Sequence, residues 1–167
     1  MQRPIGVAIF SVLNLIGGFG LLGLQLILGS SFGEISESMG ISNRVLEMSV
    51  LFLAVIGILS GIGMWLGTKW GWWLGAFYYS YGIFRDGSTL ISILSIGEDL
   101  VIEGDRGIEY HIVKYAIGAL LYTLVFLYFF KGNVLNHFDL SGLAKARAIG
   151  IIATINAVLG TLFYFVV

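Results

Sequence analysis

Cysteine is absent from this 167-residue chain, proline occurs once, and only 11% of the residues are charged. Without thiols the chain has no disulfides, no thiolate metal sites and no cysteine nucleophile. There are two histidines, His111 and His137, and the topology derived below sets them on opposite sides of a membrane, where they share no metal. No His-x-x-Glu-His spacing, nucleophile elbow or phosphate-binding glycine loop occurs. A net charge of −1 leaves no basic surface for nucleic acid. No Asn-x-Ser/Thr acceptor is present.

What is present is apolar. Hydrophobic residues make up 57% of the chain and the mean hydropathy is +0.93. A soluble domain carries about 45–50% apolar and about 25% charged residues. Long uncharged runs occupy Pro4–Gly33, Met48–Thr68 and Ala148–Val167. About 20 apolar residues at helical rise cross a hydrocarbon core of about 30 Å. The expected fold is therefore all-α, one domain, an integral membrane bundle of five transmembrane helices. The spans are expected at about 4–29, 48–67, 70–96, 109–130 and 145–167. The first apolar run exceeds a signal-peptide core of about 7–15 residues and lacks a small-x-small cleavage pattern, so it reads as a retained span.

Charge in the connections alternates. One side holds Arg3, Lys69, Lys131, Lys145 and Arg147 with Asp139. The other holds Glu34, Glu37, Glu47, Glu98, Asp99, Glu103, Asp105 and Glu109 against Arg44, Arg106 and Lys114. Basic short loops stay cytoplasmic, which predicts the N-terminus inside and the C-terminus outside. Two connections offer surface helices or irregular loops. In Ser30–Glu47, Phe32, Ile35 and Met39 recur at helical spacing, and Lys131–Ala144 repeats the hint with Val134, Leu135 and Phe138.

Glycine is abundant, with 24 residues. Small residues let membrane helices approach closely. In the second span Gly57–Gly61 and Gly63–Gly67 fall on different faces, which predicts a central helix; Gly71 and Gly75 continue the series past a tight Gly67–Gly71 hairpin. Helix packing is the reading of that ladder, with a ligand-lined cleft as the functional alternative. The fourth span, with its Tyr122, Phe126 and Phe129 stripe, reads as peripheral. Asn14 and Asn156 are expected at similar depth, bonded to each other or to nearby carbonyls, because an unpaired amide in lipid is costly. Gln25 shares roughly the face of Asn14. These amides serve either as interhelical bonds or as the lining of a solute path. A shared Arg-x-Ile-Gly start at Arg3 and Arg147 does not extend into a repeat.

Arg85 and Asp86 interrupt the third span. A central charge costs about 2.5–3.5 kcal/mol, and each Leu, Ile or Phe returns about 0.3–0.6. Nine such residues from Leu74 to Ile96 return roughly 3–5 kcal/mol, which does not clearly offset two central charges. Three arrangements relieve the cost. The helix ends near Phe84, or the pair snorkels from the outer third of a tilted span. In the third, the pair faces the bundle interior beside Tyr78, Tyr81 or Ser88, and marks an ion or substrate path. The outer acidic cluster lacks an EF-hand pattern and reads as a solvated loop.

The Arg-Pro-x-Gly-Val start (Arg3 to Val7) and the Gly63–Leu74 hairpin with its Lys-Trp-Gly-Trp-Trp turn resemble small polytopic prokaryotic membrane proteins of unknown function. That resemblance covers about the first half of the chain. It implies a bacterial or archaeal plasma membrane and carries over no activity and no site residues. The residues themselves point to a non-catalytic accessory or homo-oligomeric membrane component, whose partners are the lipid bilayer, a second copy or another membrane protein. The alternative is a small carrier or channel using Arg85, Asp86, Asn14, Gln25 and Asn156, with Tyr78 and Tyr81 beside them. Asp86 stands alone as a membrane-depth acid, so no enzyme and no cofactor is expected.

Overall fold

The computed structural model describes residues 3–28, 42–96 and 107–166, which are helical apart from short connections and contain no strand. Helix α1 is Ile5–Leu28, α2 Asn43–Trp65, α3 Lys69–Ile96, α4 Ile108–Phe129, α5 Gly132–His137 and α6 Lys145–Val166. Among the described residues, Ile5–Ile27, Asn43–Trp65 and Ile108–Phe129 are long and apolar enough to cross a membrane. At about 1.5 Å per residue the 28 residues of α3 span about 42 Å. Its Lys69, Arg85 and Asp86, with its run of Trp and Tyr, make it more polar than those three. The proposed surface helix within Ser30–Glu47 lies mostly outside the described residues, and its last part, Asn43–Glu47, belongs to α2. Within Lys131–Ala144 a short helix, α5, does form, and its Val134 and Leu135, with Phe138 just beyond it, are buried in the protein core.

The α2–α3 turn is fixed by its hydrogen bonds. Thr68 N–H donates to the Gly63 carbonyl (3.0 Å) and Gly67 N–H to that of Met64 (3.1 Å), with Gly67 at φ +68°. This is a Schellman ending, which needs a left-handed residue and so favours glycine. Thr68 Oγ1 then accepts from Gly71 N–H at 3.2 Å and caps the start of α3. One helix is closed and the next opened within three residues.

Close backbone approach continues away from the turn. A Cβ on Gly63 would lie 2.6 Å from the Gly71 Cα, and one on Gly61 2.9 Å from the Ser11 carbonyl oxygen. A Cβ on Gly18 would sit 2.8 Å from the Ala54 carbonyl oxygen. Thus Gly57 and Gly61 face α1 while Gly63 faces α3. The central element, however, is α3 rather than α2. It packs against α2, α4 and α6, whereas α2 packs against α1 and α3. The reason lies in its rings. Trp72 and Tyr79 are buried and meet Phe130, just past the end of α4, and Phe129 within it, and the Trp72 indole N–H donates to the Phe129 carbonyl at 2.9 Å. Phe10 of α1 joins them edge-on to Tyr79 and Tyr128.

Helix α4 is peripheral, as expected: it packs chiefly against α3, and most of its residues stay exposed or half-buried. Phe126 and Phe129 are buried, whereas Leu120, Leu121, Leu124 and Leu127 are exposed on its other side. Its aromatic stripe faces the core, and its leucines face outward. The contacts also gather one end of the bundle. Arg3 donates to the Trp65 carbonyl at 2.6 Å and stacks on the Trp65 ring at 4.1 Å. Lys69 pairs with Asp139 at 2.9 Å, and Gly67 lies against His137. A cation at the carbonyl end of α2 is well placed against the helix dipole.

Candidate functional site

Three polar junctions lie within the bundle, and α3 contributes to each. At the first, the Asn14 amide donates to Ser60 Oγ at 2.7 Å, and its carbonyl oxygen accepts from the Tyr79 hydroxyl at 2.7 Å. Ser60 passes its own proton to the Gly57 carbonyl at 3.1 Å. Asn14, Ser60 and Tyr79 are all buried. One side chain each from α1, α2 and α3 therefore forms a closed chain of bonds. At the second, Asn156 of α6 donates to Ser80 Oγ at 2.9 Å and to its own-helix Ile152 carbonyl at 3.0 Å. Its buried Oδ1 has no partner among the described residues.

Of the two expected arrangements, Asn156 takes a nearby carbonyl, that of Ile152, and the Asn14–Asn156 bond is not formed. Instead, the two amides reach Tyr79 and Ser80, neighbours on α3 that point about 100° apart, so a whole helix stands between them. Their shared depth was legible from their distance to Arg3 and Arg147. Their partners were not, because a serine or tyrosine hydroxyl in an apolar stretch carries no mark of what faces it. Gln25 lies elsewhere, donating a long 3.4 Å bond to the Glu47 carbonyl at the far end of the α1–α2 pair.

The third junction holds the charges. Helix α3 runs unbroken past Arg85, Asp86 and Gly87, so the helix end proposed near Phe84 does not occur. The reason is that backbone hydrogen bonding continues while Ser88 and Thr89 hydroxyls both donate to the Arg85 carbonyl at 2.9 Å. Arg85 binds Asp86 Oδ1 through Nε and Nη2, both at 2.8 Å. The Asp86 side chain is 6% exposed and that of Arg85 50%. The other carboxylate oxygen lies against Gly118 of α4, where a Cβ would not fit. The aromatic neighbour of the guanidinium is Tyr122, with its ring centre at 5.8 Å. Tyr78 meets Tyr79 edge-on and Tyr81 lies tilted against Phe77. Sequence reasoning missed Gly118 and Tyr122. A glycine one helical turn before a tyrosine on the same face, opposite a lone membrane acid, was the available signal.

Arg85, Asp86, Thr89, Lys114, Tyr115 and Tyr122 line a cleft of about 810 Å³ whose walls, among the described residues, come from α3 and α4. The candidates thus fall into separate places. Arg85 and Asp86 share the cleft, whereas Asn14, Gln25 and Asn156 sit at other junctions. Among the described residues no three His, Cys, Asp or Glu side chains gather. Outside the spans two groups have shifted acidities. Burial pushes the His137 imidazole below its ordinary value and the Arg3 guanidinium acts in the same direction. The Lys69 ammonium, by hydrogen bond and charge, holds the Asp139 carboxyl below the usual range. No protein-family model, curated protein or solved structure matches this chain.

Proposed function

We propose that this is a five-span protein of a prokaryotic plasma membrane, with its N-terminus cytoplasmic and its C-terminus outside. In this reading it serves as a non-catalytic component, an accessory subunit or a homo-oligomeric helper. The observation that carries the reading is the use made of the buried amides. Asn14 and Asn156 bond across helix junctions to hydroxyls of α3 and do not share a cavity. Polar groups placed this way hold helices together in lipid. Orientation is supported by the basic end. Arg3, Lys69, Lys131, Lys145 and Arg147 against Asp139 give five positive charges to one negative, and basic ends stay inside. The five-span count is supported by the lengths of α3 and α6, 28 and 22 residues.

The carrier or channel reading draws on one observation, the charged cleft. Its walls, which among the described residues come from α3 and α4, favour a lateral site over a path through the bundle.

The test uses the absence of cysteine. A Cβ at Gly107 or Gly142 meets no atom within 4 Å, so a thiol is tolerated at either. Gly107→Cys should react with a membrane-impermeant thiol reagent in intact cells, and Gly142→Cys only after permeabilisation. Labelling of both from outside would overturn the topology. Ion or solute flux in proteoliposomes that is abolished by Arg85→Gln would overturn the non-catalytic component in favour of the carrier.

A further inference from the structure

Among the described residues the α3–α4 cleft holds two cations against one acid, and that acid is already bound. Asp86 is buried against Gly118 and bound to Arg85 through a single oxygen, so it anchors the guanidinium from behind. Half of the Arg85 side chain stays exposed, with N–H groups beyond the two aimed at Oδ1. Lys114 is exposed on the opposite wall, 5.2 Å from the Tyr115 ring centre, and has no acidic partner among the described residues. Among the described residues the cleft lining is therefore net positive by one charge.

Its depth is set by α3. Arg85 follows Lys69 by 16 residues, about 24 Å of helix, and Lys69 pairs with exposed Asp139 at the basic end. Against a hydrocarbon core of about 30 Å, the guanidinium lies close to the far edge, where lipid phosphates begin. Lys114, six residues into α4, is about 9 Å below the start of that helix and approaches the same level from the other wall. Exposed Leu121, nearly two turns deeper on α4, also lines the cleft and offers an apolar wall below the cations. Charged groups above and an apolar wall below fit an amphiphile, and planar Arg with a nearby Lys fits phosphate oxygens.

We propose that the Arg85–Lys114 cleft between α3 and α4 binds the phosphate headgroup of an anionic lipid in the leaflet opposite the basic end. Asp86 positions Arg85 for that contact, and Leu121 meets the acyl chain. The inference rests on α3 crossing the bilayer as proposed above, which the thiol labelling reads independently. Failure of lipid binding with an intact labelling pattern would therefore sink this inference alone.

The experiment is native mass spectrometry of the delipidated full chain given equimolar phosphatidylglycerol and phosphatidylcholine. We expect preferential retention of phosphatidylglycerol, weakened about fivefold by Lys114→Gln, the weight of one basic residue at an anionic surface. Lys131→Gln, at the other end, should leave retention unchanged. Because Lys114 is exposed, its replacement tests the site without the folding demands of Arg85→Gln, which should weaken retention further. Equal retention of the two lipids, or indifference to Lys114→Gln, overturns the proposal. So does phosphatidylglycerol displacement by millimolar inorganic phosphate, which would assign the site to a soluble anion.

Discussion

A buried amide in a membrane protein is worth what its partners make of it, and Asn14 has two. Its carbonyl oxygen takes the Tyr79 hydroxyl and its amide gives to Ser60. Tyr79→Phe removes one donor and leaves a buried carbonyl without water or protein to replace it. Interhelical hydrogen bonds in membranes average about 0.6 kcal/mol, with a maximum near 1.7. We expect Tyr79→Phe to cost about 1 kcal/mol. In the Asn14→Leu background the same change should cost much less, because the orphaned acceptor is gone. Thermal unfolding of the four proteins in detergent provides the cycle, and strict additivity would show that the bond carries no weight. His137 offers a test in pH. Its folded pKa lies below the ordinary 6.5, chiefly through burial. As pH falls below 6.5 the unfolded chain takes a proton before the folded one does, so stability is full above 6.5 and declines below it. Melting temperature should fall between pH 7.5 and 5.0, and fall less in His137→Gln; parallel curves would dissociate His137 from the effect.

Two glycines on the hairpin helices and two on the outer part of α1 look alike in the sequence and are opposites in the fold. Gly71 abuts the Gly63 backbone so closely that a Cβ has no room, and backbone does not yield as a side chain does. Gly71→Ala must separate α2 from α3, at a cost of about 3 kcal/mol or more. Gly20 and Gly23 meet nothing within 4 Å, so alanine there should be neutral or stabilise by up to about 1 kcal/mol. Detergent melting of Gly71→Ala beside Gly20→Ala would refute the packing account if both moved alike. Helix limits, by contrast, were legible to within a residue or two for most elements: expected spans at 70–96, 109–130 and 145–167 became Lys69–Ile96, Ile108–Phe129 and Lys145–Val166. The second differs at its start, 48 against Asn43, for a physical reason. Hydropathy marks the part of a helix that lipid covers, whereas hydrogen bonding carries α2 outward through Arg44 and Glu47, where Asn43 donates to the Glu47 carboxylate at 3.0 Å. Legibility failed at the hub. Gly57, Gly61 and Gly63 pointed to α2, but seven Trp, Tyr and Phe residues between Trp70 and Tyr81 decide which helix collects neighbours.

Across the whole molecule, attachment is uneven, and α6 is the weak member. It touches the bundle along Ala148, Ile152 and Asn156, one residue per turn, continued by Gly160 against Phe84. Ile149, Ile151, Ile155 and Val158 are all more than two-fifths exposed. Its interhelical hydrogen bond is Asn156 to Ser80, and that amide keeps an oxygen unpartnered among the described residues. The α2–α3 hairpin has the opposite character, with interlocked glycines, a capped turn and the ring cluster beside it. Opening free energies follow such differences in buried contact, so the helices should not exchange amide hydrogens in step. Detergent does not supply the lateral pressure of a bilayer, and there α6 should exchange first and the Gly57–Ala76 region last. Asn156→Leu removes the hydroxyl link and should accelerate α6 while leaving the hairpin unchanged. If mass spectrometry instead found α6 and the hairpin exchanging at one common rate, the bundle would open as a unit. The narrow stripe on α6 would then be as strong a joint as the glycine interface.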